Sequence, residues 1–334
     1  MGKGQAMTRI LVTGAAGFVG SHLTHFLGQS TDWQIVAMVR GGTAGTLHRL
    51  YEHPAWEKIS DRVRVVWHDL RSPISDFVSQ KVGSLDYILA VGANSHVDRS
   101  CQDPVGCVED NVNGQCNLLE FARKQKDLKR FVYWSTDEVY GSAPVGQSFL
   151  EDDRCKAGNV YAATKAAAEQ LTLAYGNTWN VPFCITRCTN IIGPMQSSEK
   201  FLPLVIKKIL AGETVTIHSN ADKTVSGSRV YIDVDDVCRG TKLVLDKGVN
   251  DETYNITGAE EISNLQLAQM VAEILKKPLK YELHGRPANR PHPDMRYSTN
   301  GAKLRTLGFR LEHSVADCVA RTVQFYLDHP EWLA

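Results

Sequence analysis

Two stretches of this chain carry residue types at spacings suited to chemistry. In Tyr161-Ala162-Ala163-Thr164-Lys165 a phenol and an ammonium stand four positions apart, which puts both on one face of a helix. A nearby cation favours the phenolate and draws a phenol pKa of about 10 toward the working range. Tyr161 is therefore a candidate base for an alcohol undergoing oxidation. In Tyr133-Trp134-Ser135-Thr136-Asp137-Glu138-Val139-Tyr140-Gly141 a hydroxyl and two carboxylates follow an apolar run. A strand over Arg130–Trp134 presents Thr136, Asp137 and Glu138 at its carboxyl end, where open parallel sheets hold ligands. From there Thr136 can hydrogen-bond the same substrate oxygen as Tyr161.

Elements must position these groups, and the chain supplies them in a regular order. Arg9–Thr13 reads as a short buried strand, followed at once by Gly14-Ala15-Ala16-Gly17-Phe18-Val19-Gly20 and a helix over Ser21–Leu27. Strand, glycine turn and helix in that order form a dinucleotide site, because bare backbone N–H groups approach a pyrophosphate at the positive helix end. Gly14, Gly17, Phe18, Val19 and Gly20 are its candidate contacts. A Tyr-x-x-x-Lys step alone is common on surface helices; beside this turn and a threonine at a strand end it gains meaning. Further strands are expected at Gln34–Val39, Val63–Trp67, Tyr87–Val91, Arg130–Trp134 and Val181–Thr186, with helices at Asn113–Lys124 and Tyr161–Tyr175. This alternation predicts an α/β fold, a doubly wound parallel (Rossmann) sheet.

After Arg187 the rhythm changes to loops, a helix near Pro203–Ala211, a polar stretch Ser219–Ser228, a strand Arg229–Ile232, a helix from Asp235 and an amphipathic segment Leu265–Leu275. The expected division is a dinucleotide-binding domain over 8–188, revisited at about 229–257. A smaller α/β substrate domain, 189–228 plus 258–334, is expected over the sheet's carboxyl edge.

Composition excludes several classes. The 334 residues hold 37 Lys+Arg and 37 Asp+Glu, so no basic stripe or acidic tail points to nucleic acid or a membrane surface. No apolar run nears the roughly 18 residues of a membrane span. The first residues, Met1–Met7, lack a signal-peptide core. Eight cysteines without a Cys-x-x-Cys pair read as free thiols of a cytoplasmic protein. The histidines are scattered, and no His/Asp/Glu grouping has metal-ligand spacing.

The second strand ends Val39-Arg40-Gly41, with no acid to hold a ribose 2′-hydroxyl. Arg40 is the cation a 2′-phosphate needs, so charge favours NADP, with NAD the alternative. Asp69, after the third strand, is a candidate for the adenine amine, and Leu70 and Asn111 complete the expected dinucleotide contacts with Tyr161 and Lys165.

With these residues in view, the chain resembles the extended, nucleotide-sugar-modifying branch of the short-chain dehydrogenase/reductase superfamily, from the glycine turn to about Tyr326. Within it, Ser135–Gly141 and Ser95-His96-Val97-Asp98-Arg99-Ser100 look like the nucleoside-diphosphate-hexose 4,6-dehydratases, the dTDP-glucose and UDP-glucose enzymes above all. Epimerases and decarboxylases of the branch share the Tyr/Lys pair and lack the Asp-Glu pair. The resemblance implies NAD(P)-dependent oxidation at the sugar 4-position, loss of water across the 5- and 6-positions, and hydride return to the 6-position. It implies Asp137 as acid and Glu138 as base; two carboxylates in unlike environments can hold opposite protonation states. A homodimer packed through Asn113–Lys124 and Tyr161–Tyr175 and a role in deoxysugar biosynthesis follow from it too. The alternatives are a 4-epimerase, a UDP-glucuronate decarboxylase-type enzyme, or a non-catalytic dinucleotide sensor.

The same resemblance marks substrate contacts. Ser95 and His96 belong to the first matching motif. Asn190 stands in Thr189-Asn190-Ile191-Ile192-Gly193-Pro194, where the family continues Asn-Tyr and this chain has two isoleucines. Lys200 and Phe201 lie in Glu199-Lys200-Phe201-Leu202-Pro203. Arg229 and Arg290 fit the arginines that clamp the diphosphate, a bidentate task suited to guanidinium, with Arg286 the rival to Arg290. Asn255 and His218 complete the set. The nucleotide of the hexose is left open among dTDP, UDP and others.

Overall fold

The computed structural model describes residues 7–41, 47–285 and 295–333. Among them are thirteen strands: β1 Arg9–Thr13, β2 Gln34–Val39, β3 Val63–Trp67, β4 Tyr87–Ala90, β5 Arg130–Thr136, β6 Phe183–Cys188, β7 Asn190–Ile192, β8 Val215–His218, β9 Ser228–Asp233, β10 Glu252–Ile256, β11 Glu261–Ser263, β12 Tyr281–His284 and β13 Arg296–Tyr297. The main sheet has seven of them in the order β10-β6-β5-β4-β1-β2-β3. β1 pairs in parallel with β2 and β4, β2 with β3, and β4 with β5. The doubly wound sheet expected from the β-α alternation is present, and the order reverses direction at β1.

Burial explains why these segments are strands. In central β1, Ile10, Leu11 and Val12 are all wholly buried, as a strand covered on both faces requires. At the edge, β3 is only partly covered, and Trp67 is 54% exposed. The first helix runs Phe18–Ser30, longer than Ser21–Leu27, because it starts directly at the glycine turn and closes on the Thr31 N–H bond to Leu27 O. β5 runs two residues past Trp134. It stops where the Thr136 hydroxyl accepts from the Glu138 N–H at 3.3 Å and opens the 3-10 turn Asp137–Tyr140. β6 lies two residues later than Val181–Thr186, since Val181 and Pro182 are the approach to the strand; Pro182 contributes its carbonyl to the Phe131 N–H.

The chain forms two compact units. The first comprises Met1–Ser135, Ala163–Thr186 and Thr241–Tyr254. Its core joins Leu11, Val36, Ile88, Phe131, Phe183 and Ile185 from the sheet to Leu118, Phe121 and Tyr175 from helices. The second comprises Thr136–Ala162, Arg187–Gly240 and Asn255–Ala334. It holds a four-stranded sheet in which β9 pairs with β11, β13 and β7, and a parallel pair β8–β12. Its own core gathers Ile206, Ile217, Leu267, Val271, Val319 and Tyr326. Strands β7, β8 and β10–β13 and the helix Val315–Asp328 lie outside the segments that the sequence pattern marked.

Candidate active site

In the first unit the glycine turn is built by close approach. Gly14 has φ +65°, and a Cβ there would lie 2.6 Å from Gly92 Cα. A Cβ on Gly20 would lie 2.2 Å from the Gly14 carbonyl oxygen. The Gly17 N–H donates to Gly14 O at 2.8 Å and closes the turn. No side chain caps the helix Phe18–Ser30, and its first turn carries no acid. Among the described residues no side-chain cap or first-turn acid meets its leading N–H groups and positive dipole end, which fits a pyrophosphate.

Arg40, at the end of β2, donates to Asp110 Oδ1 at 2.5 Å and lies 4.0 Å from Asp69 Oδ1. Asp69 in turn is clasped by Arg71, and this hydrogen-bonded guanidinium holds its carboxyl below the ordinary range. Leu70 packs against the first core, and its carbonyl accepts from Asn117 Nδ2 at 2.7 Å. Asn111 is buried: Oδ1 accepts from Asn94 N at 2.7 Å, while Nδ2 donates to Asn94 O and to Thr164 Oγ1. It ties the loop after β4 to the helix Val160–Trp179. Ser95 in that loop is exposed, and His96 caps the helix Val97–Gln102, its Nδ1 accepting from Arg99 N at 3.3 Å.

Tyr161 and Lys165 share the helix Val160–Trp179, one turn apart, and both are buried. The Lys165 ammonium donates to the Trp134 carbonyl on β5 and lies 4.3 Å from the Tyr133 ring centroid. Burial pulls its pKa down to about 7, against the opposing pull of Glu169 and Cys107. In the sequence this ammonium reads as the neighbour of a phenol; the fold adds a second anchor, the β5 backbone.

The carboxylate pair lies in the second unit, and its members meet different surroundings. Asp137 is 3% exposed, and its Oδ2 is buried without a hydrogen-bond partner. Oδ1 accepts from the Thr136 hydroxyl at 3.3 Å. Burial above all, then the Glu138 charge, pushes its pKa up to about 8, with Arg229 and the Thr136 hydrogen bond opposing. Asp137 therefore keeps its proton at neutral pH. Glu138 is half-buried, and its Oε2 accepts from Asn159 Nδ2 at 2.9 Å and from Tyr297 OH at 3.2 Å.

Asn159 and Tyr297 were not among the residues singled out by the sequence. Asn159 had a signal, since asparagine three residues before Ala162 is a favoured start to a helix. Tyr297 had none, because only folding brings β13 to the 3-10 turn.

Of the other residues, Arg229 stacks 4.3 Å from the Tyr297 ring centroid and donates to Ser228 O at 2.7 Å. Asn190, on β7, has a buried Oδ1 with no protein partner. Lys200 takes the cap position of the helix Phe201–Ala211, and Phe201 packs on the second core. His218 ends β8 opposite His284. Asn255 is fully buried: Oδ1 accepts from Tyr140 OH at 2.9 Å, and Nδ2 donates to Phe149 O and Asn300 O. Those bonds make it part of the frame that holds Tyr140 and Arg187. Arg290 and Arg286 lie outside the described residues.

Folding also gathers Asp233, Asp235 and His313, with ligand-type atoms within 4.8 Å of one another. Arg321 fills this group, donating to Asp233 at 2.5 and 2.6 Å and to Asp235 at 2.6 Å. The cluster is an ion-pair network on the second unit.

A Rossmann sheet, an uncapped glycine-turn helix and a buried Tyr/Lys pair define a nicotinamide-dinucleotide enzyme of the extended short-chain dehydrogenase/reductase type. The pattern of the NAD dependent epimerase/dehydratase family matches residues 10–257, and the chain belongs to that family. It is 36% identical over 333 residues to the dTDP-glucose 4,6-dehydratase of Streptomyces niveus, covering 97% of this chain and 94% of that protein. The solved structure of DesIV, a dTDP-glucose 4,6-dehydratase from Streptomyces venezuelae with NAD bound, matches with a TM-score of 0.88 at 34% identity, over 97% of this chain and 98% of that one. A UDP-glucose 4-epimerase from Thermus thermophilus, also with NAD, matches with a TM-score of 0.85 at 25% identity, over 96% and 100%. Among the described residues no helix is long and apolar enough to cross a membrane.

Proposed function

We propose that the chain is a nucleoside-diphosphate-hexose 4,6-dehydratase, a hydro-lyase that converts an NDP-glucose into its 4-keto-6-deoxy product. One observation carries the reading: of two carboxyls adjacent in sequence, Asp137 is buried with its pKa pushed up to about 8, while Glu138 is half-buried and accepts hydrogen bonds from Asn159 and Tyr297. An elimination needs an acid and a base. The dehydratase relatives support the same reaction class.

The dinucleotide would be held by the glycine turn, Asp69, Leu70 and Lys165, and when bound it supplies reversible two-electron chemistry to the sugar. Tyr161 accepts the proton of the 4-hydroxyl, with the Thr136 hydroxyl hydrogen-bonding the same oxygen. The resulting 4-ketone acidifies the 5-proton, which the Glu138 carboxylate removes. Asp137 gives its proton to the departing 6-hydroxyl, and water leaves. Glu138 then returns its proton to the 5-position as the 6-position is reduced. The proton gained by Tyr161 balances the one lost by Asp137. On the substrate side, Asn190, Lys200, Arg229 and His218 are the proposed contacts, with Arg290 among the residues outside the description; the unpartnered Asn190 Oδ1 is the feature that best supports a ligand.

Arg40 by itself argues for NADP. Its ion pair with Asp110, with Asp69 close by, instead supports NAD, because two carboxylates oppose a 2′-phosphate. Weighing the nucleotide released from the purified protein decides: NAD is expected, and Asp110→Asn should raise the NADP share. Recovery of NADP alone from the wild type overturns the ion-pair argument.

The assembly we propose is a cytoplasmic homodimer through the helices at 113–124 and 161–175. Trp179, 47% exposed at the end of the latter helix, supports it, and sedimentation at micromolar concentration tests it. The activity itself is tested with dTDP-, UDP-, GDP- and CDP-glucose. A 4-keto-6-deoxy sugar from one of them is expected; only a 4-epimer, a pentose or unchanged sugar would refute the dehydratase reading.

A further inference from the structure

We infer that Asn159 is the positioning residue for Glu138, an inference that rests on the dehydratase reading. Asn159 precedes the helix Val160–Trp179, and its two carboxamide atoms have separate tasks. Oδ1 accepts from Ala162 N at 2.8 Å and caps the helix that carries Tyr161. Nδ2 donates to Glu138 Oε2 at 2.9 Å. The amide orientation is set by chemistry: a backbone N–H can only donate, so the oxygen must face Ala162 and the nitrogen must face the carboxylate.

The residue type follows from this double demand. Helix starts favour Asn, Asp, Ser and Thr, all of which offer an oxygen to the third N–H. Of these, asparagine alone has a donor beside the acceptor, far enough along the side chain to reach a second group. Aspartate would cap equally well and would set a second carboxylate against Glu138. Serine would cap and fall short of it.

Among the described residues the other groups facing Glu138 are few. Tyr297 OH donates to the same Oε2 at 3.2 Å, and Arg229 stacks over the Tyr297 ring. Thr136 Oγ1 holds the Glu138 backbone N–H, and Asp137 follows Thr136 in the chain. Among the described residues Tyr297 is the other side-chain donor to Glu138, so Asn159 is one of two groups that orient its carboxylate. Because the same side chain caps the helix two residues before Tyr161, the group that takes the 5-proton is tied to the turn that carries the group taking the 4-hydroxyl proton. A fixed relation between the two spares each turnover the entropy of bringing them into place.

The experiment compares wild type, Asn159→Ser, Asn159→Thr and Asn159→Asp with the NDP-glucose that the wild type accepts. It follows kcat, KM, the pH profile of kcat, solvent deuterium uptake at the sugar 5-position, and Tm. Ser and Thr keep the cap, so Tm should stay near wild type. KM should change less than about twofold while kcat and deuterium uptake fall together about tenfold, the size expected for one lost charge-assisted hydrogen bond. Asn159→Asp should fall further and shift the acid limb of the profile to higher pH, since a second carboxylate favours protonation of the first. Equal kcat and superposed pH profiles for wild type and either hydroxyl variant would overturn the inference. So would a fall in all variants that tracks Tm alone, because that is a cap and nothing more. Absence of a 4-keto-6-deoxy product from wild type with every sugar tested overturns the dehydratase reading, and the assignment of Asn159 falls with it.

Discussion

The glycine turn of the first unit and the carboxylate pair of the second meet opposite demands. The turn must keep side chains away, so that backbone N–H groups at a helix end stay bare and close. The pair must gather side chains, because a carboxyl raised to about 8 beside a hydrogen-bonded carboxylate needs walls and donors from distant segments. The first site is made by seven consecutive residues, Gly14–Gly20. The second draws on residues 136–138, 159, 229 and 297. A local site is intolerant of added atoms, whereas an assembled one is intolerant of lost partners.

That contrast can be broken first at the pair. Glu138→Gln keeps the shape and removes the base, so product formation should drop about 10²–10⁴-fold. Slow oxidation at the 4-position, followed by nicotinamide absorbance, should persist. Unchanged turnover would remove Glu138 from the elimination.

Asp137→Asn should cost about 10²-fold and should change the pH profile. The wild-type rate is expected to fall as pH rises through about 8, since only the protonated acid can give its proton to the leaving hydroxyl. That alkaline limb should be absent from the variant; a persisting limb would assign it to another group, Lys165 being the next with a pKa near neutrality.

At the turn, Gly20→Ala adds one methyl where 2.2 Å separates it from a backbone oxygen. The expected cost is about 1–3 kcal/mol of stability, together with loss of the bound dinucleotide from the purified protein. Retention at wild-type stoichiometry with an unchanged Tm would show that the close approach is dispensable.

An effect seen only on acidification, and small near neutral pH, is expected behind the turn, where His25 stacks on His53 with ring centroids 3.8 Å apart. Burial, aided by His53, lowers the His25 pKa from 6.5 to about 3. Between these values the unfolded chain binds a proton that the folded one does not. Stability should therefore fall as pH drops from about 6.5 toward 3, by at most about 1.4 kcal/mol per pH unit. Urea midpoints measured against pH should fall less steeply for His25→Phe than for wild type, and parallel curves would exclude His25 as the source.

Much of the first unit was legible because its signals are local. Buried strands are continuous apolar runs, and β1, β2 and β3 begin and end where Arg9–Thr13, Gln34–Val39 and Val63–Trp67 place them. The second unit hides strands such as three-residue β7 and β11 and two-residue β13, whose partners lie far along the chain. No periodicity can register over so short a run. Asn255 shows the same limit for a single residue: its type and neighbours suit a polar contact with substrate, while its burial and its bonds to Tyr140, Phe149 and Asn300 are facts of packing.

By itself the sequence determined the order of β1–β6 with their helices, the glycine turn, the Tyr161/Lys165 step and the presence of two carboxylates at the end of β5. Those features depend on residues adjacent or one helical turn apart. Only the tertiary structure decided which carboxyl keeps its proton, which cation Arg40 can still serve as, and that Asn159 and Tyr297 hold Glu138. The reason is that protonation and orientation are set by burial and by partners through space. Neighbours along the chain say little about either.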